Sequence, residues 1–243
     1  MLGLLCTTWL AAAAPLPVVA VGDGPVVAPL NNTAPDQTVP GGWVTVLADC
    51  LEERQPARFT VVDRVVLGET TATFKERLEP VRELRPSWVV VALGARELAQ
   101  EGSQPAAIRA ELETIVTQLR AKTRKIRPEV LLIGPVSPAL EPGEGRPGEG
   151  RPGEGRPGEG RPGEGKEGDE GSEQASLDAR IGAYNAQLTE LAASIEGVTF
   201  VDLWSGWPRE PSRRSGLTVG GWTLSDQGHA RVAAAVCDAV LAE

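Results

Sequence analysis

The chain has 243 residues, a formal net charge of −9 and 41% hydrophobic residues, which is typical of a globular protein with enough apolar side chains for one core. Ten acidic and five basic side chains fall in residues 141–173, so the rest of the chain carries a net charge of only −4 and lacks the basic surface that nucleic acids bind. No stretch is long and apolar enough to predict a transmembrane helix.

The first 14 residues resemble a signal peptide. They read MLGLLCTTWLAAAA, an apolar run followed by small residues that suit cleavage near Ala13 or Ala14. No Lys or Arg precedes the apolar run, and Leu4 and Leu5 before Cys6 do not fit a lipoprotein signal. We therefore predict export, periplasmic or extracellular. The alternative is a cytoplasmic protein with an additional buried segment.

Apolar runs alternate with segments of helical period along the remainder of the chain. Strands are predicted at Leu16–Val21, Phe59–Val66, Trp88–Leu93, Val130–Ile133 and Thr199–Leu203. Helices are predicted around Trp43–Leu51, Thr71–Leu84, Ala106–Lys125, Leu177–Ile195 and after the cap residue Ser225. This alternation predicts one α/β domain over residues 15–243, with a five-stranded parallel sheet covered on both faces.

A repeat interrupts this domain at residues 141–173. The unit PGEGR recurs from Pro142, and the fifth copy ends in Lys166. Glycine does not recur at every third residue, which excludes collagen, and the segment has no apolar side chains to bury, so it is predicted to be disordered. Its simplest interpretation is a neutral expansion in a surface loop, because the cost of closing a loop grows slowly with its length. A binding role is the alternative.

Two cysteines remain if the leader is removed. Cys50 and Cys237 form an even pair that is compatible with an oxidising compartment. Each also falls on the apolar face of a predicted helix, which fits two buried thiols equally well. The sequence leaves their pairing open.

The first strand ends in Gly22-Asp23-Gly24. Ligands of open α/β sheets bind where parallel strands end, so this turn is where a site is expected. The turn is too short for a Rossmann or P-loop pattern, and no cofactor is predicted. Asp23, Glu69, Glu97 and Asp202 are available carboxylates, but with one histidine in the chain they show no metal-ligand spacing, and no metal site is predicted.

Four blocks follow the predicted strands or precede the last helix. They are Gly22-Asp23-Gly24, Gly68-Glu69-Thr70-Thr71, Gly94-Ala95-Arg96-Glu97, and the run from Gly220 to His229. Together they resemble the motifs of the SGNH hydrolases, which are GDSL-like lipases and esterases, and the resemblance covers the chain outside the leader and the insert. It implies a three-layer α/β/α sandwich with the five strands in flavodoxin-like order.

The resemblance also implies that the catalytic groups are missing. The family uses a serine nucleophile, a histidine base oriented by an aspartate, and an oxyanion hole formed by the serine amide, a glycine amide and an asparagine side chain. The corresponding positions here are Gly24, Thr223, Gly220, Gly68 and Arg96, and only Gly68 is retained. No catalytic residue is therefore predicted to be intact, because acyl transfer needs a hydroxyl, a base and oxyanion donors.

Candidate binding residues remain at this edge: Asp23, Gly68, Arg96 and Trp222. Arg96 either forms a structural ion pair with Asp23 or Glu69 or binds an anionic ligand group. Trp222, Trp204 and Trp207 either stack on a sugar or cover the core.

The single histidine, His229, is interpreted as a local packing residue at the start of the last helix rather than as a replacement base.

Three functions are consistent with these features. The first is an inactive SGNH-like protein, a pseudoenzyme, with a retained cleft for a small ester or carbohydrate ligand. The second is an active ester or acyl hydrolase with a rearranged site. The third is a scaffold protein that acts through its repeat insert on an unidentified protein partner.

Overall fold

The computed structural model describes residues 13–25, 42–100, 102–121, 127–138, 170–214, 216–219 and 223–242. The strands in these ranges are β1 (Leu16–Gly22), β2 (Phe59–Val65), β3 (Trp88–Ala92), β4 (Glu129–Ile133), β5 (Val198–Val201), β6 (Thr218–Val219) and β7 (Thr223–Leu224). The helices are α1 (Trp43–Arg54), α2 (Thr71–Glu83), α3 (Ala95–Leu98), α4 (Pro105–Arg120), α5 (Glu170–Ser194), α6 (Pro211–Arg214) and α7 (Asp226–Leu241).

The first five strands form one parallel sheet in the order β2-β1-β3-β4-β5. The predicted fold class is confirmed, a doubly wound sheet with β3 at its centre between β1 and β4. All five residues of β3 are buried, as expected for a strand covered on both faces.

Each face of the sheet has its own hydrophobic core. Successive side chains of a strand point to opposite faces, so Val19 and Val21 pack against α2, α4 and α5, whereas Val18 and Ala20 pack against α1 and α7. The two cores lie between the central sheet and the helices that cover its two faces, as in a three-layer α/β/α sandwich.

A disulfide joins Cys50 of α1 to Cys237 of α7, with 6.4 Å between the two Cα atoms. The sequence left this pairing open, and the structure pairs the two cysteines. The bridge links α1 and α7, which pack on the same face of the sheet.

Residues 139–169, which contain most of the predicted insert, lie outside the described residues. The buried guanidinium of Arg214 holds together the two chain segments on either side of them. Arg214, fully buried, donates to both carboxylate oxygens of Asp178 on α5, at 2.8 and 3.3 Å. It also donates to the hydroxyl of Ser137 after β4 at 3.0 Å, and Gln174 of α5 donates to the same hydroxyl at 2.7 Å. Ser137 and Gln174 therefore lie within one hydrogen bond of each other.

The structure differs from the predicted elements in a few places. It adds α3, α6 and the β6–β7 hairpin, and α5 begins at Glu170, inside the segment predicted to be disordered to residue 173. Helix α4 ends at Arg120, and residues 122–125 of its predicted extension lie outside the described residues. Within the described ranges, no helix is both long and apolar enough to cross a bilayer.

Candidate functional site

The turn after β1 lies at the carboxyl edge of the two central strands. The amides of Asp23 and Gly24 both face the carbonyl of Ala92 at the end of β3, at 3.1 and 3.4 Å. A Cβ on Gly22 would stand 2.1 Å from that same carbonyl oxygen, so only glycine allows β1 and β3 to approach this closely.

Gly24 has a backbone φ of 135°, a conformation that residues with a side chain rarely adopt. Apart from Gly24 and its two chain neighbours, no described atom lies within 4 Å of the point where its Cβ would stand. The described residues therefore leave this side of the turn open.

The Asp23 carboxylate connects this turn to the turn after β2. Its Oδ1 accepts a hydrogen bond from the backbone N–H of Gly68, 45 residues further along the chain. Gly68 has a φ of 78°, in the left-handed region that favours glycine, so its residue type fits the backbone of the turn. The hydrogen bond joins the ends of neighbouring strands, which are paired in register from Leu16 to Gly22.

Arg96 lies next to Asp23 and Gly68, at the end of β3. It lies on α3 directly after β3, is 8% exposed, and its guanidinium carbon is 4.0 Å from the point where a Cβ on Gly68 would stand. Its charge lowers the pKa of Asp23. The fold therefore brings together Asp23, Gly68 and Arg96, three of the four residues named as binding candidates. Trp222, the fourth, lies outside the described residues, as does Gly220.

Burial dominates the titration of Asp23. Desolvation raises its pKa to about 6, against the opposing effects of the Gly68 hydrogen bond and the positive charge of Arg96, while the negative charge of Glu97 adds to the increase. The carboxyl group therefore changes charge in the range between mildly acidic and neutral pH.

Glu69, which follows Gly68, has its own cation. It is 3% exposed and forms an ion pair with Arg77 of α2, a residue that the sequence analysis did not single out. Burial raises the pKa of Glu69, and Arg77 opposes that increase. Of the two carboxylates proposed as partners for Arg96, Asp23 is the one whose pKa responds to the Arg96 charge.

Glu97 is used structurally at the start of α2. Its Oε1 accepts a hydrogen bond from the backbone N–H of Thr71 at 2.6 Å, a favourable place for a carboxylate because the N-terminus of a helix carries a partial positive charge. The Thr71 hydroxyl donates to Glu111 of α4 at 3.0 Å, and Thr70 caps α2 in a capping box with Thr73. The hydroxyls of Thr70 and Thr71 are therefore occupied in capping and packing.

The described residues of the last motif block lie on strand β7 and at the start of helix α7. Thr223, where the motif resemblance places the family's base, is exposed on β7 and pairs with Val219. Ser225 caps α7 by accepting from the Gly228 amide at 3.1 Å, as predicted. His229 is half-buried in the first turn of α7, where burial lowers its pKa.

Two of the three tryptophans considered for sugar stacking belong to the core. Trp204 and Trp207 are 8% and 2% exposed. The Trp207 indole N–H donates to the carbonyl of Ser137 at 3.0 Å, and the Arg209 guanidinium lies 4.0 Å from the centre of the Trp204 ring. The hypothesis that these two rings bind a ligand is wrong, because packing against their own chain covers them.

The model of the GDSL-like Lipase/Acylhydrolase family matches residues 29–231, most of the chain. The chain belongs to this family. The resemblance inferred from the four blocks is thereby confirmed, and the match continues on both sides of the repeat insert.

Solved structures show the same fold. The GDSL-like chain superposes on a lipase/acylhydrolase from Enterococcus faecalis with a TM-score of 0.63, at 17% identity over 93% of this chain and 95% of the other. It also superposes on a carbohydrate acetylesterase from Sinorhizobium meliloti, with a TM-score of 0.60 at 15% identity over 93% and 99% of the two chains. The native aryl esterase of M. smegmatis gives a TM-score of 0.59 at 18% identity over 93% and 99%. A search of curated protein sequences found no match.

The positions that the motif resemblance assigns to the family's reactive groups hold Gly24, Gly68, Arg96 and Thr223 among the described residues. Of the two backbone amides that the motif resemblance assigns to the oxyanion hole, the Gly68 amide donates to Asp23 and the Gly24 amide faces the Ala92 carbonyl at 3.4 Å. In the same ranges, no group of three His, Cys, Asp or Glu side chains is arranged to hold a metal ion.

Proposed function

We propose that this protein is a non-catalytic member of the GDSL-like family that retains a ligand-binding cleft at the carboxyl edge of its sheet. The observation that carries the proposal is Gly24, which stands at the nucleophile position with no side chain and a φ of 135°. The backbone there suits glycine and disfavours the serine that the family chemistry needs.

The neighbouring groups support the same conclusion. Acyl transfer needs a base next to the nucleophile, and the base position is held by Thr223, an exposed hydroxyl with no ability to accept a proton near neutral pH. Oxyanion stabilisation needs donors aimed at the developing charge, and the Gly68 amide is directed at Asp23.

The ligand that we propose is a small ester or an acylated carbohydrate. The open space beside Gly24 is bordered by the turn that carries Asp23, so an acceptor for ligand hydroxyl groups lies at its margin. The structural similarity to a carbohydrate acetylesterase supports testing acetylated sugars first.

Hydrolysis assays test the absence of catalysis. Purified protein is incubated with short-chain chromogenic esters and acetylated sugars, beside a variant carrying Gly24→Ser, Arg96→Asn, Gly220→Asp and Thr223→His. We expect no turnover by the natural protein. We expect the variant to be less stable, because a serine at φ 135° costs about 1–3 kcal/mol in backbone strain. Ester hydrolysis by the folded variant would support loss of chemistry on an intact scaffold, and turnover by the natural protein contradicts the proposal.

Asp23 favours a second candidate function, an active hydrolase with a rearranged site. A carboxylate with a pKa of about 6 can accept a proton from water near neutral pH while the water oxygen attacks an ester carbonyl. The C–O ester bond would then break, and the protonated Asp23 would return its proton to the departing alcohol oxygen. Ester hydrolysis by the natural protein that Asp23→Asn abolishes, and that Glu69→Gln leaves in place, would favour this candidate.

We also propose that the protein is exported. The Cys50–Cys237 disulfide supports this, because such bonds form and persist mainly in oxidising compartments. The test is the N-terminal sequence of the protein recovered from cell fractions of its source. A new N-terminus near Ala13 or Ala14 in an exported fraction supports the proposal, and an intact Met1 in the cytoplasm contradicts it.

A further inference from the structure

The Asp23–Gly68 hydrogen bond has a property beyond holding two turns together. Its donor is the amide at the position where the motif resemblance places the oxyanion-hole glycine of the family, and its acceptor is an ionisable side chain. An amide N–H that is bonded to a carboxylate is not available to a second strong acceptor. The ionisation state of Asp23 therefore determines whether the Gly68 amide can reach a ligand.

The charged groups that face Asp23 come from the ends of β2 and β3, the two strands beside β1, and from the helices that follow them. Arg96 and Glu97 lie on α3, and both act on the Asp23 charge, with opposite signs. Glu69 follows β2, interacts unfavourably with Asp23 and is itself paired with Arg77 of α2. Three carboxylates and two guanidinium groups thus share this edge, so that one negative charge remains when all are ionised.

We propose that Asp23 is an acid-released latch on the Gly68 amide, so that a ligand with a carbonyl oxygen binds at this edge together with the uptake of one proton. The proposal rests on the ligand-binding function proposed above and adds its regulation. It assigns to the chain a preference for the ligand at mildly acidic pH.

The direction of the effect follows from hydrogen-bond chemistry. An ionised acceptor forms hydrogen bonds about twice as strong as a neutral one, so the Asp23 carboxylate outcompetes an ester carbonyl for the Gly68 N–H. Protonation removes that advantage and also removes the excess negative charge of the edge. A ligand carbonyl can then accept a hydrogen bond from the Gly68 amide.

The size of the effect follows from the titration. With a pKa of about 6, Asp23 is about 90% protonated at pH 5 and about 1% protonated at pH 8. If only the protonated form binds, the apparent affinity is reduced by the fraction that is competent, which predicts binding about 90-fold tighter at pH 5 than at pH 8.

The Gly68 amide itself reports on the latch without any ligand. Labelling leucine with ¹³C at the carbonyl and glycine with ¹⁵N selects Leu67–Gly68, and the sequence contains only two other Leu-Gly pairs, Leu2–Gly3 and Leu93–Gly94. We expect the Gly68 amide proton resonance to move with pH, with a midpoint near 6, in the natural protein and in the control Glu69→Gln. We expect it to stay constant in Asp23→Asn, whose neutral side chain imitates the protonated acid.

Three results would overturn the latch. One is a Gly68 resonance that does not titrate in the natural protein, which can be read even if Asp23→Asn fails to fold. The second is a Gly68 resonance that still moves with pH in Asp23→Asn. The third is a Gly68 resonance that no longer moves with pH in Glu69→Gln, which would assign the effect to Glu69.

The coupling to a ligand is measured with an acetylated methyl xyloside as the probe, titrated into the natural protein and Asp23→Asn at pH 5 and pH 8. Tighter binding at pH 5, lost in Asp23→Asn, supports the coupling, and equal affinity at both pH values overturns it. Absence of binding at both pH values contradicts the proposed function and the coupling together, whereas the latch is judged by the Gly68 resonance alone.

Discussion

At the scale of single residues, the candidate site is a set of acidic side chains, each paired with another group of the protein. Asp23, Glu69 and Glu97 are each drawn into contacts with the protein itself, through Gly68, Arg77 and Thr71 respectively. These contacts stabilise the turns that end the strands.

Asp23 predicts an unusual dependence of stability on pH. Because its pKa is raised from 3.8 to about 6 in the folded protein, the folded state binds the proton more tightly than the unfolded chain does between these values. This contribution to stability is therefore present at pH 4 and is lost as the pH rises through 6. We expect Asp23→Asn to match the natural protein at pH 4 and to exceed its free energy of unfolding at pH 7.5 by up to about 3 kcal/mol.

Urea denaturation at a series of pH values measures this difference. Glu69 also has a raised pKa and contributes a trend of the same sign, so the difference between the two proteins, and not the absolute curve, isolates Asp23. A difference that grows toward acidic pH contradicts the prediction.

Arg96 predicts the opposite response at the same site. Its charge lowers the pKa of Asp23, so we expect Arg96→Ala to move that pKa above 6 and to reduce stability by about 1–3 kcal/mol at pH 7.5. The loss should be smaller at pH 5, where Asp23 is protonated and needs no cation. The exposed Arg213→Ala is the matched control and should have little effect.

Such a dependence on pH identifies an ion pair with Asp23. An equal loss of stability at both pH values would instead assign Arg96 a packing role. Unchanged stability with loss of ligand binding would favour the anion-binding hypothesis.

At the scale of secondary structure, the sequence predicted the long elements and missed the short ones. The apolar run of Trp88–Ala92 and the amphipathic period of α4 are local patterns several residues long, so they can be recognised without a structure. Helices α3 and α6 contain four residues each, and the β6–β7 hairpin has two residues per strand, too few for a period to appear.

The site was predicted less completely, for a related reason. Motif positions placed Asp23, Gly68 and Arg96 at one edge, since parallel strands end together. The pairs Glu69–Arg77 and Asp178–Arg214 were missed, because an ion pair between elements leaves no pattern in the sequence. The sequence left the pairing of Cys50 and Cys237 undecided, because two buried thiols and a disulfide both fit cysteines on the apolar face of a helix.

The contacts of Arg214 predict that the repeat is dispensable for folding. Ser137 and Gln174 are joined through one hydrogen bond, and Arg214 ties both segments to the loop before α6, so the ends of the insert are held without its help. We expect deletion of Pro142–Gly165 to leave the melting temperature within about 2 °C of the natural value.

Arg214→Met provides the contrasting variant. It leaves Asp178 without its buried bidentate partner, which we expect to cost about 3–5 kcal/mol. Thermal melts followed by circular dichroism compare the two. A large loss in the deletion variant, with a small loss in Arg214→Met, would show that the repeat itself stabilises the domain.

At the scale of the whole molecule, the disulfide connects the two ends of the domain. Cys50 and Cys237 are 187 residues apart in sequence, so the bond restricts most of the unfolded chain, and breaking it should cost about 2–5 kcal/mol. We expect a reductant to lower the melting temperature of the natural protein and to leave that of Cys50→Ala/Cys237→Ala unchanged. The double variant should melt near the reduced natural protein, because α1 and α7 also pack on the same core without the bond. Two results together would show that the bond does not form in the isolated protein. They are no effect of reductant on the natural protein, and modification of both cysteines when the unfolded chain is alkylated without reductant. The disulfide would then no longer support export.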